Sequence, residues 1–164
     1  LSKPVVSMGQ DIGYLPGDLE AKMQPWMCSF FDNLDQLIST GDEARSKGAD
    51  RRTKGWEYLF QTGELEVQPI HSIRGRSIPN AFMLIDEAQN LTPHEVKTII
   101  TRAAKGTKVI LAGDPFQCDN HFLDSHSNGL VHVTERVKES PFTGSVFFTR
   151  GERSRLAELA ATVL

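Results

Sequence analysis

The chain predicts an α/β fold with a mainly parallel sheet, and three stretches carry that prediction. Ala81 to Asn90, AFMLIDEAQN, begins with a short apolar run and ends in two carboxylates, a small residue and two amides. Lys108 to Ala112, KVILA, is a second apolar run, and between the two lies a segment with helical spacing. Strand, helix, strand over roughly thirty residues is a βαβ unit, which implies a parallel pair with a right-handed crossover.

Each piece has its own signature. Phe82, Met83, Leu84 and Ile85 show no polar alternation, as expected of a strand buried on both faces. In the helix, Thr92 is the N-cap, Pro93 takes the first position and Glu95 completes a capping box. Val96, Ile99, Ile100 and Ala103 form its apolar face, and Gly106 can close it in the left-handed conformation. The second strand runs into Gly113-Asp114-Pro115-Phe116-Gln117. Two neighbouring strands thus deliver Asp86, Glu87 and Asp114, with nearby amides, to the carboxyl edge of the sheet, where open α/β sheets place their ligands. The form of the first strand is that of a Walker B element, in which one carboxylate holds Mg²⁺ and its neighbour can orient an attacking water.

Elsewhere the signals are local. Lys3–Met8 reads as a short strand and Gly9–Asp18 as a turn-rich loop. Two helical pieces follow, Leu19–Gln24 and Trp26–Ser39, separated by Pro25, with the Trp26 and Phe30 aromatics read as core. Thr40 to Lys54 carries a basic cluster, Arg45, Lys47, Arg51, Arg52 and Lys54, on a predicted loop. Trp56–Phe60 gives one or two helical turns closed by Gly63, and Leu65–Ile70 alternates like a strand. Arg74 and Arg76 flank Gly75, presenting two planar cations suited to phosphates. Ser127-Asn128-Gly129 is a turn, followed by a helix from Leu130 to Lys138. Gly144–Thr149 reads as another strand, with Arg150 and Arg153 after it and a final amphipathic helix bearing Leu156, Leu159, Ala160 and Val163. Asp119, His121, Asp124 and His126 match no familiar zinc spacing and lack helical periodicity, which argues against a dedicated metal site there.

Composition bounds the function. With 164 residues, 39% hydrophobic and 24% charged, the chain suits one globular domain rather than a disordered or membrane protein. The net charge of -3 means that any contact with a polyanion must be local. Cys28 and Cys118 sit in no CxxC, as suits free thiols in a reducing cytoplasm. The first residue is Leu rather than Met, and the chain is expected to be a fragment.

The stretch HSIRGRSIPNAFMLIDEAQNLTPHEVKTIITRAAKGTKVILAGDPFQCDN, with GQDIGYLPGDLEAKMQPW before it and SNGL and RGERSRLAELA after it, resembles the PhoH family of P-loop ATPases. SNGL and GERS look most like the branch in which the ATPase domain follows a PIN ribonuclease domain. The resemblance implies a three-layer, RecA-like core akin to superfamily 1 helicases, hydrolysis of ATP with Mg²⁺, RNA as the polymer partner, and a homo-oligomer, with a hexamer as the expected form. It makes Asp86 the Mg²⁺ ligand and Glu87 the general base. Gln89 and Gln117 become γ-phosphate or water sensors, with Asp114 supporting Gln117. Arg74, Arg76, Arg150 and Arg153 become phosphate contacts, one of them an arginine finger. The family's GxxxxGK[ST] loop is not in this sequence, so the resemblance implies an ATPase domain without its phosphate cradle. Two other readings use the same residues: a non-hydrolysing RNA-binding module on Arg74, Arg76 and the 45–54 cations, and a metal-dependent nuclease on Asp86, Glu87, Asp114 and Asp119.

Overall fold

The computed structural model describes residues 55–149 throughout, together with Leu1, Ser2, Pro4, Met27, Cys28, residues 30–38, Ser154, Arg155, Leu156, Leu159 and Val163. The expected loops at Gly9–Asp18 and 40–54, the helix Leu19–Gln24, most of the strand Lys3–Met8, and Arg150 and Arg153 lie outside the described residues. The chain divides into two units, Leu1–Val133 and Thr134–Leu164.

The first unit is organised on two parallel strands, β1 (Phe82–Ile85) and β2 (Lys108–Leu111), in register from Phe82 opposite Lys108 to Ile85 opposite Leu111. On the other side of β1, Ser2 forms a parallel bridge with Ile85, donating to Leu84 O at 2.9 Å and accepting from Asp86 N at 3.0 Å. Beyond it, the Leu1 nitrogen donates to Glu66 O at 2.7 Å, and Leu1 O accepts from Gln68 N at 2.9 Å. β1 is therefore an interior strand. The alternating stretch 65–70 takes sheet-like bonds without becoming a regular strand, and closes in a 3₁₀ turn at Ile70–Ile73.

Helix α1 (Gly55–Gln61) ends where expected, with Gly63 at φ 74° and its N–H bonded to Phe60 O at 3.1 Å. Residues 30–38 are helical, and Phe31 stacks on Trp56 with ring centroids 4.3 Å apart. Helix α2 (Pro93–Ile100) starts with the predicted capping box: Thr92 Oγ1 accepts from Glu95 N at 3.2 Å while the Glu95 carboxylate accepts from Thr92 N at 2.8 Å. It stops sooner than the periodicity suggests. Ala103 leaves the helix to bridge Ile78, and Gly106, at φ 78°, turns the chain beyond that bridge rather than closing the helix.

The core sits on one face of the sheet. Met83 and Ile85 pack with Ile73, Leu91, Val96 and Ile99, all buried, and Val109, Leu111 and Leu130 close around them. Each fully buried aliphatic side chain of this kind is worth about 1.5–3 kcal/mol. The other face is open, contrary to the expectation of a strand buried on both sides. Phe82 is 73% exposed and Ile110 40%, and they line a groove of about 630 Å³. Lys108 Nζ lies 5.4 Å from the Phe82 ring centroid, so its cross-strand partner covers part of that ring. An unbroken apolar run fits two-sided burial and one-sided burial equally well; only the packing separates them.

Helix α3 (Gly129–Val137) begins at the predicted turn. Asn128 is fully buried and its Oδ1 accepts from Val131 N at 3.0 Å, while Gly129 N donates to Leu91 O at 2.7 Å. A Cβ on Gly129 would lie 2.7 Å from Leu91 O and 2.8 Å from Thr92 O. Only glycine permits this approach of α3 to the start of α2.

In the second unit, Gly144–Thr149 is not a strand. The segment is exposed and has no assigned pairing, with Phe147 at 70% and Phe148 at 85% exposure. Arg155, Leu156, Leu159 and Val163 are helical, and the three apolar ones are exposed. Among the described residues no helix is long and apolar enough to cross a membrane.

Candidate functional site

The ends of β1 and β2 are tied to each other. Ala112 N donates to Ile85 O at 2.8 Å, and Ala88 N donates back to Ala112 O at 2.9 Å. Between these bonds the chain turns sharply. Glu87 sits in the left-handed region at φ 52°, ψ 37°, and leads into a 3₁₀ turn over Ala88–Asn90, whose three residues are all buried. A non-glycine residue held there costs of order 1–3 kcal/mol, and such strain concentrates where a side chain must be aimed. Asp86 and Glu87 are half-buried at the carboxyl edge of the sheet, as their place at the strand end requires.

The segment after β2 folds over this turn. Asn90 Oδ1 accepts from Asp119 N at 2.8 Å and from Asn120 N at 3.2 Å, and Asn120 Nδ2 donates to Asn90 O at 3.1 Å. Asp114 Oδ1 accepts from Phe116 N at 3.0 Å, and Asp114 Oδ2 accepts from Gln117 Nε2 at 2.6 Å. Asp114 therefore braces Gln117, whose side chain stays at the surface. A Cβ on Gly113 would fall 2.2 Å from Gln89 Oε1 and 3.1 Å from Ala88 N, which is why glycine leads this segment.

Gln89 differs from its expected position. A γ-phosphate sensor needs an accessible amide, and Gln89 has 0% exposure. Its Nε2 donates to Glu87 Oε2 at 2.8 Å and to Gln117 O at 2.9 Å. In this structure it presents no surface to a phosphate. Gly113 and the overlying segment enclose the side chain.

Of the predicted arginines, the two described ones, Arg74 and Arg76, make no ion pair with these acids. Arg74 is exposed beside Gly75, which has φ 80°. Arg76 pairs with Glu66 Oε1 at 3.2 Å on the wall of the open groove, which Asp86, Glu87 and Asp114 do not line. The 119–126 residues do not form a metal cluster either. Asp124 Oδ1 accepts from His126 N and Ser127 N, both at 2.8 Å, and these bonds hold its carboxyl below the ordinary value. Among the described residues no three His, Cys, Asp or Glu side chains converge on a metal position.

Asn90, Gly113 and Asn128 are parts of this region that sequence reasoning does not single out. The signal available for Asn90 and Asn128 is an amide at each turn; which backbone groups those amides serve depends on segments far away in the chain.

An α/β sheet with acids and a braced amide at the carboxyl ends of adjacent parallel strands is the architecture of a ligand-binding α/β domain. The PhoH-like protein family model matches residues 1–163, and the chain belongs to that family. It is 49% identical over its full length to Protein PhoH2 of Bacillus subtilis (strain 168), covering 35% of that protein. It is 31% identical over 159 residues to Protein PhoH of Escherichia coli (strain K12), covering 96% of this chain and 41% of the relative. The PhoH-like protein of Bacillus subtilis (strain 168) is 36% identical over 138 residues, 84% of this chain and 39% of the relative. The chain thus spans well under half the length of these relatives.

Proposed function

We propose that this chain carries the magnesium- and water-handling part of an ATP site in a PhoH-family ATPase with a three-layer, RecA-like core. The observation that supports it most directly is the pair Asp86 and Glu87 at the end of β1, tied by backbone bonds to the end of β2 and its braced Gln117. Mg²⁺ takes one or two protein carboxylates and leaves its other positions to water and phosphate oxygens, so a site with few acids suits it. Asp86 is the proposed ligand. Bound ATP and Mg²⁺ supply the transferable phosphoryl group and the charge that offsets its developing negative oxygens.

Glu87 takes the proton of the attacking water, and the left-handed turn sends its side chain out from the strand end. Gln117, braced by Asp114, would contact the γ-phosphate or the attacking water. Arg74, Arg150 and Arg153 are the proposed phosphate-facing cations, one of them reaching across a subunit boundary in a homo-oligomer; Arg76 must leave Glu66 to join them. RNA is the proposed polymer partner, supported by the family resemblance that RGRS, DEAQN and GDPFQ carry, and the cytoplasm is the proposed location, supported by two cysteines in no CxxC. A nuclease needs acids that converge, and those described here do not.

The test is ATP hydrolysis by the full-length protein. Glu87→Gln keeps shape and removes the base, and kcat is expected to fall roughly 100-fold or more. Hydrolysis at the wild-type rate would remove Glu87 from that role.

A further inference from the structure

Gln89 spends both of its amide hydrogens inside the protein, one on the Glu87 carboxylate and one on the backbone of the segment after β2. We propose that Gln89 is a positioning residue that clamps the Glu87 carboxylate to the Asp114–Gln117 turn, so that base and turn move as one body. This rests on the reading of Glu87 as the base.

Three observations carry it. Glu87 stands in a left-handed conformation, which sets the direction of its Cβ, and the side-chain torsions that place the carboxylate are then fixed by what it bonds. The bond at 2.8 Å joins a donor to a carboxylate in a half-buried place, and hydrogen bonds to charged groups are the stronger ones. The amide is held in one orientation: the same nitrogen reaches Gln117 O, and Oε1 faces the gap at Gly113, buried and without a hydrogen-bond partner among the described residues. An unpaired buried acceptor costs about 1–3 kcal/mol. The alternative orientation would set Oε1 against the Glu87 carboxylate and the Gln117 carbonyl, two acceptors that it cannot bond.

On the far side, the turn is itself closed by two hydrogen bonds. Gln117 N donates to Asp114 O at 3.1 Å and Gln117 Nε2 to Asp114 Oδ2 at 2.6 Å. A hydrogen-bonded path therefore runs from Glu87 through Gln89 to Gln117 and Asp114. Leucine or methionine at position 89 would fill the space and donate nothing; glutamate would set a second carboxylate against the first.

The experiment uses the full-length protein with Q89L, Q89M, E87Q and the double variant E87Q/Q89L, and measures kcat and KM for ATP together with thermal unfolding. Loss of aim costs a reaction roughly 10- to 100-fold, and kcat of Q89L and Q89M is expected to fall by that factor while KM stays within about 2-fold. Because Gln89 acts through Glu87, adding Q89L to E87Q is expected to lower kcat no further. Wild-type kcat in a folded Q89L or Q89M, a matching rise in KM, or an added loss on top of E87Q would each overturn the clamp. If Q89L does not fold, Q89M, with its adaptable chain, decides. Should E87Q itself hydrolyse ATP at the wild-type rate, the base assignment fails and the clamp with it; an inactive E87Q beside a fully active Q89L overturns the clamp alone.

Discussion

Gly113 is the residue on which the region around Gln89 closes. A methyl group there meets Gln89 Oε1 and the backbone nitrogen of Ala88. Side-chain movement can relieve the first contact but not the second. Gly113→Ala is expected to cost about 1–3 kcal/mol in urea unfolding, the usual range for overpacking. If Gln89 is displaced in the process, kcat should drop more than stability alone explains. Gly144, where an added methyl group would meet nothing within 4 Å, is the control, and Gly144→Ala should leave both unchanged. Asp124 gives a prediction about pH. Its carboxyl is held low first by the His126 N–H and then by the Ser127 N–H and side chain. A depressed folded-state value stabilises the fold above the ordinary carboxylate range, and that contribution disappears as pH falls through the depressed value. Asp124→Asn should therefore flatten the acid side of the stability profile, measured by thermal unfolding between neutral and strongly acid pH. At this scale the sequence is partly legible. Asp86, Asp114 and Gln117 lie where their strand ends place them, whereas the burial of Gln89 depends on a carbonyl 28 residues away.

Among the elements, α2 is the most legible because its determinants are local. Thr92, Pro93 and Glu95 meet within one turn, and the capping box forms as expected. Thr92→Ala should cost about 1 kcal/mol in urea unfolding. Gly129→Ala should cost more, about 3 kcal/mol, because the added methyl meets two backbone carbonyls that cannot turn aside. The reverse ranking would mean that α3 can slide off α2 without penalty. Strands are less legible. The apolar runs locate β1 and β2, and their parallel pairing follows from the helix between them. GSVFFT has the composition of a strand but takes no strand pairing. Strand propensity describes what a segment can do once a neighbour is present, and a neighbour is a non-local fact.

For the first unit as a whole, the open face of the sheet is the main departure from expectation. Phe82 and Ile110 contribute little to the core, so Phe82→Thr and Ile110→Thr should each change stability by only about 0.5 kcal/mol. The same changes should reduce self-association of the isolated chain in light scattering, since contiguous exposed apolar surface promotes contact. A destabilised double variant would show instead that this face is packed in solution. The bonds that make β1 an interior strand also bear on how the unit folds. β1, α2 and β2 are joined by short connections and can assemble from neighbouring sequence, but Ser2 reaches Ile85 only by closing a loop of more than eighty residues. Long loops close late and slowly compared with local ones. Amide hydrogen exchange should therefore protect Lys108 and Ala112, whose N–H groups bond Ala81 O and Ile85 O, earlier in refolding than Asp86, whose N–H waits for Ser2 O. The acid-bearing edge would then be the last part of the sheet to become ordered, finished by a residue from the start of the unit's sequence.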